Sequence, residues 1–185
     1  MKKYLYLVAI ALVSCGAILS SCSDDKISGD SIFSTKAVER NAFDQWLYKN
    51  YTMPYNIDFQ YRLKTEETEQ AYNFVPADSA KTVKLAILTK YMWFDAYAET
   101  VGLDFIKENA PRIILVTGTP GYTRYRTEVI GSAEGGYKVR LGKVNALTDD
   151  QLKDYGSMNN YYFHTMHHEF MHILNQKKPY DESYD

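Results

Sequence analysis

All four histidines of this 185-residue chain fall between His164 and His172. Inside that stretch, His168-Glu169-Phe170-Met171-His172 has the spacing H-E-x-x-H. Residues four apart on an α-helix differ by about 40° around the axis and by one turn along it, so both imidazoles can reach one tetrahedral zinc ion. Glu169 falls beside that pair, within reach of a water at the metal rather than of the metal itself. Zinc lowers the pKa of a bound water to about 7, and a neighbouring carboxylate can take its proton during attack on a carbonyl. The pattern predicts Zn2+ held by His168 and His172, with Glu169 as catalytic base.

The other two histidines do not complete that set. His164 and His172 are eight residues apart, about 12 Å along a helix, too far to share an ion whose Zn–N bonds are near 2 Å. His164 is expected to pack beside the site, and His167 to be exposed or hydrogen-bonded elsewhere. A third metal ligand is unknown from the residues. With Phe163 at zero, Met166, Phe170, Ile173 and Leu174 lie within about 80° of it, while His168 and His172 fall at roughly 140° and 180°. One helix face is therefore core and the opposite one carries the imidazoles. Five residues also match by chance, and coincidence is the competing reading.

The elements that must position this helix are legible in outline. Val38, Phe43, Trp46 and Leu47 share a helical face with Ser34 or Thr35 as cap, and Pro54 is expected to end the helix. Residues 55–63 alternate apolar and polar, predicting a half-buried strand, and the charged segment KTEETEQ a solvated loop. Pro76-Ala77-Asp78-Ser79 opens a long helix over about Ala80 to Val101, whose stripe of Leu85, Leu88, Met92, Trp93 and Tyr97 is core. Arg112 to Val116 is a buried strand, so strand–helix–strand predicts a parallel crossover. Arg126 to Ile130 and Tyr137 to Val144, separated by a segment containing Gly135-Gly136, predict a β-hairpin. Thr148-Asp149-Asp150-Gln151 has the form of a capping box, and the last helix is expected over about Asn159 to Asn175. The fold class is α+β, with a mixed sheet, a long packing helix and a C-terminal H-E-x-x-H helix.

Composition bounds the function. The net charge of −2 comes with no basic stripe, so nothing points to nucleic acid. The N-terminal MKKYLYLVAIALVSCGAILSSCSDDK has two lysines, an apolar run and small residues before a cysteine, the form of a secretory signal over 1–21. Leu19-Ser20-Ser21-Cys22 resembles a bacterial lipobox, with Cys22 as the lipidated residue. Leu12-Val13-Ser14-Cys15 also fits, but polar sequence begins only after Cys22. Residues 22–35 then read as an acidic and polar tether, and 36–185 as one domain. A soluble secreted protein or an uncleaved anchor is the alternative. Acylation anchors without spanning, so membrane association is expected through lipid only.

FDQWLYKNYTMPYNIDFQYR, YMWFDAY, PRIILVTG, GSAEGGYKVRLGKVN and HHEFMHILNQ together carry a resemblance over about Ala42 to Asn175. In these segments the chain resembles the Bacteroidetes zinc-metallopeptidase lipoproteins, the substrate-import-associated zinc metallohydrolases. The resemblance implies a zincin-like fold, His168 and His172 as zinc ligands, Glu169 as catalytic base, and a peptide or protein substrate. It further implies an outer-membrane, lipid-anchored and surface-exposed location beside a TonB-dependent receptor system. It also makes Tyr137 to Val144 a candidate sheet edge for an extended substrate. The metzincin pattern is not met: Asn175 stands at its glycine position and Lys178 at its third histidine. Asp181, Glu182 or Asp185 could supply an oxygen from the tail, and the expectation is a chain truncated after the helix. Two other readings stay open, an accessory lipoprotein of the import system with a vestigial or structural metal site, and a glycan-binding protein using its 17 tyrosines.

Overall fold

A computed structural model describes residues 39–64, 72–178 and 183. The chain divides into two units, Met1–Glu39 and Arg40–Asp185, and the described elements belong to the second. Expectations for the signal segment, Cys22, the Ser34 or Thr35 cap, most of the KTEETEQ segment and the ligands Asp181, Glu182 and Asp185 lie outside the described residues.

The first described helix, α1 (Ala42–Leu47), is capped by Asn41. The Asn41 side chain accepts from the Asp44 amide at 2.7 Å, and the Asp44 carboxylate accepts from the Asn41 amide, a reciprocal capping box. The helix widens into a π-type turn over Tyr48–Thr52 and continues as α2 (Met53–Tyr55). Pro54 does not end it. Proline lies in the first turn of α2, where its missing N–H leaves little unpaired, and Asn56 at φ 55° makes the stop. The expected strand over 55–63 shrinks to β1 (Asp58–Gln60), because Tyr55 is still helical.

The long helix is present as α3 (Ser79–Thr89), a π-type turn Lys90–Asp95, and α4 (Ala96–Val101). Asp78 caps it through the Lys81 amide at 2.9 Å. Gly102, at φ 101°, breaks the axis, and a further helix α5 (Leu103–Asn109) follows that the hydrophobic pattern does not announce.

Strand β2 (Ile113–Val116) then pairs in parallel with β1, the crossover the order of elements predicts. A small hairpin of β3 (Gly121–Tyr122) and β4 (Glu128–Val129) projects before β5 (Gly131–Glu134) and β6 (Lys138–Leu141). The four-stranded sheet has the order β1-β2-β6-β5, with β2 and β6 parallel and β5 and β6 antiparallel. Gly135 and Gly136, at φ 56° and 70°, open a three-residue loop, 135–137, that fixes this register. The first hairpin arm is therefore 131–134 and not Arg126 to Ile130, whose residues partly pair with β3. A second correction concerns the expected edge. The segment Tyr137 to Val144 contains β6, which lies between β2 and β5, so β5 is the edge on that side.

Helix α6 (Asp149–Lys153) carries the expected Thr148–Gln151 capping box, and α7 (Tyr155–Met158) leads through a π-type turn, Asn159–Phe163, into α8 (His164–Lys177). Ile114, Val116, Val139 and Leu141 belong to the core with Trp93, Phe94, Met166 and Phe170. Lys138 and Arg140, at alternate positions of β6, are also buried. The Arg140 guanidinium lies 4.7 Å from the Phe74 ring centre and 5.9 Å from that of Tyr72. The α+β class and mixed sheet are as expected, and no helix among the described residues is long and apolar enough to cross a membrane.

Candidate metal centre

Helix α8 is seated by its apolar face. Met166, Phe170 and Ile173 are fully buried and Phe163 nearly so, the phase the sequence predicts. Phe170 meets Trp93, Tyr97 and Phe105, with ring centres at 5.6, 5.1 and 6.4 Å, all edge to face. Such contacts add to the transfer free energy of an aromatic side chain. His168 and His172 sit on the opposite, exposed face.

Their rings converge. The His168 and His172 Nε2 atoms are 3.0 Å apart, and the rings meet edge to face at 4.6 Å. Two imidazoles bound to one tetrahedral zinc at about 2.0–2.1 Å place their nitrogens roughly 3.3 Å apart. An opening of a few tenths of an ångström admits the ion, so this donor pair fits zinc. Among the described residues no three His, Cys, Asp or Glu are grouped to hold a metal. Lys178, at the metzincin third-ligand position, lays its ammonium 5.7 Å from the Phe105 ring centre instead.

Glu169 and His168 open onto a cleft of about 320 Å³. Its walls are residues 128–131 on one side and His164, Thr165, His168 and Glu169 on the other. The helix approaches the sheet here because of Gly131. A Cβ built on that glycine would stand 2.2 Å from Thr165 Cγ2 and 3.5 Å from Glu169 Cγ, so only glycine admits the contact. No feature of the histidine pattern identifies Gly131. The one available signal is a glycine inside a strand, which marks close backbone approach.

The remaining histidines behave as expected from spacing. His164 is exposed in the cleft wall, its ring centre 6.1 Å from that of His168. His167 turns to the other side, with Nδ1 3.3 Å from the Tyr97 hydroxyl. Burial, and secondarily the nearby His164, lowers the His167 pKa and favours its neutral form. Burial raises the Tyr97 pKa, which keeps the phenol protonated and able to donate.

The cleft edge carries one further pairing. The Lys143 ammonium contacts the Glu128 carboxylate and lies 5.3 Å from the Tyr161 ring centre. The bond to Glu128 raises the Lys143 pKa, holding the cation in place. Of the carboxylates lining the cleft, Glu128 is thus engaged, while Glu169 shares the cleft wall with His168.

The chain is similar to a putative zinc-binding metallo-peptidase from Bacteroides caccae ATCC 43185, whose crystal structure was determined at 2.10 Å. The two are 44% identical with a TM-score of 0.59 over 84% of this chain. The match spans 58% of that chain's length. No curated protein matches. A family described as "Putative zinc-binding metallo-peptidase" matches residues 36–185. That span is most of the chain and includes the converging histidines, so the chain belongs to this family of putative zinc-binding metallo-peptidases.

Proposed function

We propose that the protein is a zinc-dependent hydrolase acting on peptide bonds, with His168 and His172 as zinc ligands and Glu169 as general base. The observation that carries this is the convergence of the His168 and His172 Nε2 atoms to 3.0 Å, with His168 and Glu169 both lining one cleft. When bound, zinc supplies Lewis acidity, acidifying a water and polarising a carbonyl. Glu169 accepts the proton of the attacking water at its carboxylate and returns it to the departing amine. The edge strand β5, rather than β6, offers its backbone to an extended substrate next to that carboxylate.

The wider setting follows the family resemblance. The protein is lipid-anchored through Cys22 at the outer membrane, exposed on the cell surface, and trims peptide or protein material for a TonB-dependent import system. Acyl labelling in cells tests the anchor; label that persists in Cys22→Ser sinks it.

The catalytic reading is tested on wild type, Glu169→Gln and His168→Ala with a peptide library. Hydrolysis is expected to need zinc, to fall at least a hundredfold in Glu169→Gln, in the range of general-base contributions, and to vanish with zinc binding in His168→Ala. Undiminished hydrolysis in Glu169→Gln rules out this mechanism. A second reading, a non-catalytic accessory lipoprotein with a structural or vestigial metal site, is favoured by the absence of a third donor among the described residues. Zinc binding without hydrolysis of any peptide supports it.

A further inference from the structure

The β3–β4 hairpin stands beside the cleft with a function still unassigned. Its outgoing strand, Glu128 and Val129, forms part of the cleft wall, and its tip is Thr123-Arg124-Tyr125-Arg126-Thr127. Tyr122 pairs directly with Glu128, and paired residues share one face of a ribbon. Tyr122 is half exposed and Tyr125 is 75% exposed, more than any other large apolar or aromatic side chain among the described residues.

The tip is held in shape. The Thr123 amide donates to the Thr127 carbonyl at 3.0 Å, and the Arg126 amide to the Thr123 carbonyl at 2.8 Å. The Thr123 hydroxyl accepts from the amides of Tyr125 and Thr127 at 3.3 and 3.2 Å. The Arg124 guanidinium lies 4.7 Å from the Tyr125 ring centre and donates to its hydroxyl at 2.6 Å. Ordering the two side chains before a ligand arrives lowers the entropy lost on binding.

Two cations stand together at the hairpin tip. Arg124 and Arg126 are exposed, and among the described residues neither has a carboxylate within ion-pair distance. Glu128, the nearest acid in sequence, is taken by Lys143. The chain as a whole has a net charge of −2, so this hairpin end opposes the average sign. Two exposed guanidiniums without a carboxylate partner among the described residues, and two exposed aromatic rings beside the proposed catalytic cleft, suit a carboxylate-bearing chain passing over them.

We infer that the hairpin Gly121–Val129 selects substrate, favouring peptides with acidic side chains on the flank that passes Arg124 and Arg126. This rests on the hydrolase reading above for its place in catalysis, and names the substrate class of that same cleft.

The test uses the full chain, zinc-loaded and carrying Glu169→Gln, with two fluorescent peptides of one shared core. One has Asp and Glu on its flanks, the other Asn and Gln. Two solvent-exposed charge contacts predict binding of the acidic peptide about fivefold to tenfold tighter at low salt, fading as salt is raised. That ratio is expected to fall to about one in Arg124→Gln/Arg126→Gln and to persist in Arg124→Lys/Arg126→Lys. A ratio near one in the parent protein overturns the inference, as does an undiminished ratio in the double glutamine variant. So does binding of neither peptide, or of a sulfated oligosaccharide in their place. Cleavage of the neutral peptide by the protein with Glu169 intact scores the hydrolase reading separately. An acidic preference without cleavage removes the hydrolase and leaves the selective surface standing.

Discussion

Glu169 depends for its position on a residue with no side chain. Gly131 is the place where β5 and α8 touch, and Thr165, one turn before Glu169, presses its methyl group into the space a Cβ would fill. Threonine on a helix has two favoured χ1 rotamers, so moving that methyl aside means exchanging it with the hydroxyl. Gly131→Ala is expected to cost about 1–3 kcal/mol through overpacking and to displace Glu169 relative to the edge strand. Thr165→Ser removes the offending methyl, so the double variant should recover most of the loss. Urea unfolding of the four proteins in a double-mutant cycle measures this, and additive losses would show that the two residues are not coupled. The contrast with His168 and His172 shows what a sequence can reveal at this scale. Their demand, two imidazoles one turn apart, is local and written in the spacing. The demand on Gly131 is set by Thr165, distant in sequence, and appears only when helix and strand are packed.

Local patterns were faithful for elements wherever burial obeyed one period. The phase of α8 follows from Phe163, Met166, Phe170 and Ile173, all buried as their spacing requires. The parallel pairing of β1 with β2 follows from a helical crossover between two apolar runs. The capping box at Thr148 and Gln151 is there because its two reciprocal bonds need only neighbouring residues. Among the described residues, the π-type turns at Tyr48–Thr52, Lys90–Asp95 and Asn159–Phe163 leave no such trace. Each adds a residue to one turn and rotates the helix beyond it, with the buried Tyr51, Trp93 and Tyr162 inside them. Packing of large aromatic rings decides these turns, and ring packing is not a periodic property. Helix α5 was hidden for another reason. Gly102 gives a stop signal, and only tertiary contact, such as Phe105 stacking on Tyr97 at 6.3 Å, makes a new helix worthwhile beyond it. The hairpin arms slipped because Gly135-Gly136 sets the register through its turn geometry, which outweighs the apolar alternation of residues 126–130.

At the scale of the whole molecule, metal and fold are linked through one helix. The imidazoles ride on the exposed face of α8 while the opposite face fills the core between the sheet and α3–α5, so zinc binding and unfolding draw on the same element. An ion that binds the folded chain alone stabilises it by RT ln(1 + [L]/Kd), about 2.7 kcal/mol when free zinc is a hundredfold above its Kd. Zinc is expected to raise the thermal unfolding midpoint of the wild type, and a chelator to reverse the shift. His168→Ala and His172→Ala should each abolish it, because one imidazole is a poor site. Glu169→Gln should keep it, since that carboxylate faces the water and not the ion. Differential scanning calorimetry of these four proteins at fixed protein concentration reads the effect directly. A shift that survives in both histidine variants would place the zinc elsewhere, and the convergence of the two Nε2 atoms would then be a packing contact between neighbouring rings. A shift lost in Glu169→Gln as well would make that carboxylate a ligand, leaving the proposed hydrolysis without its base.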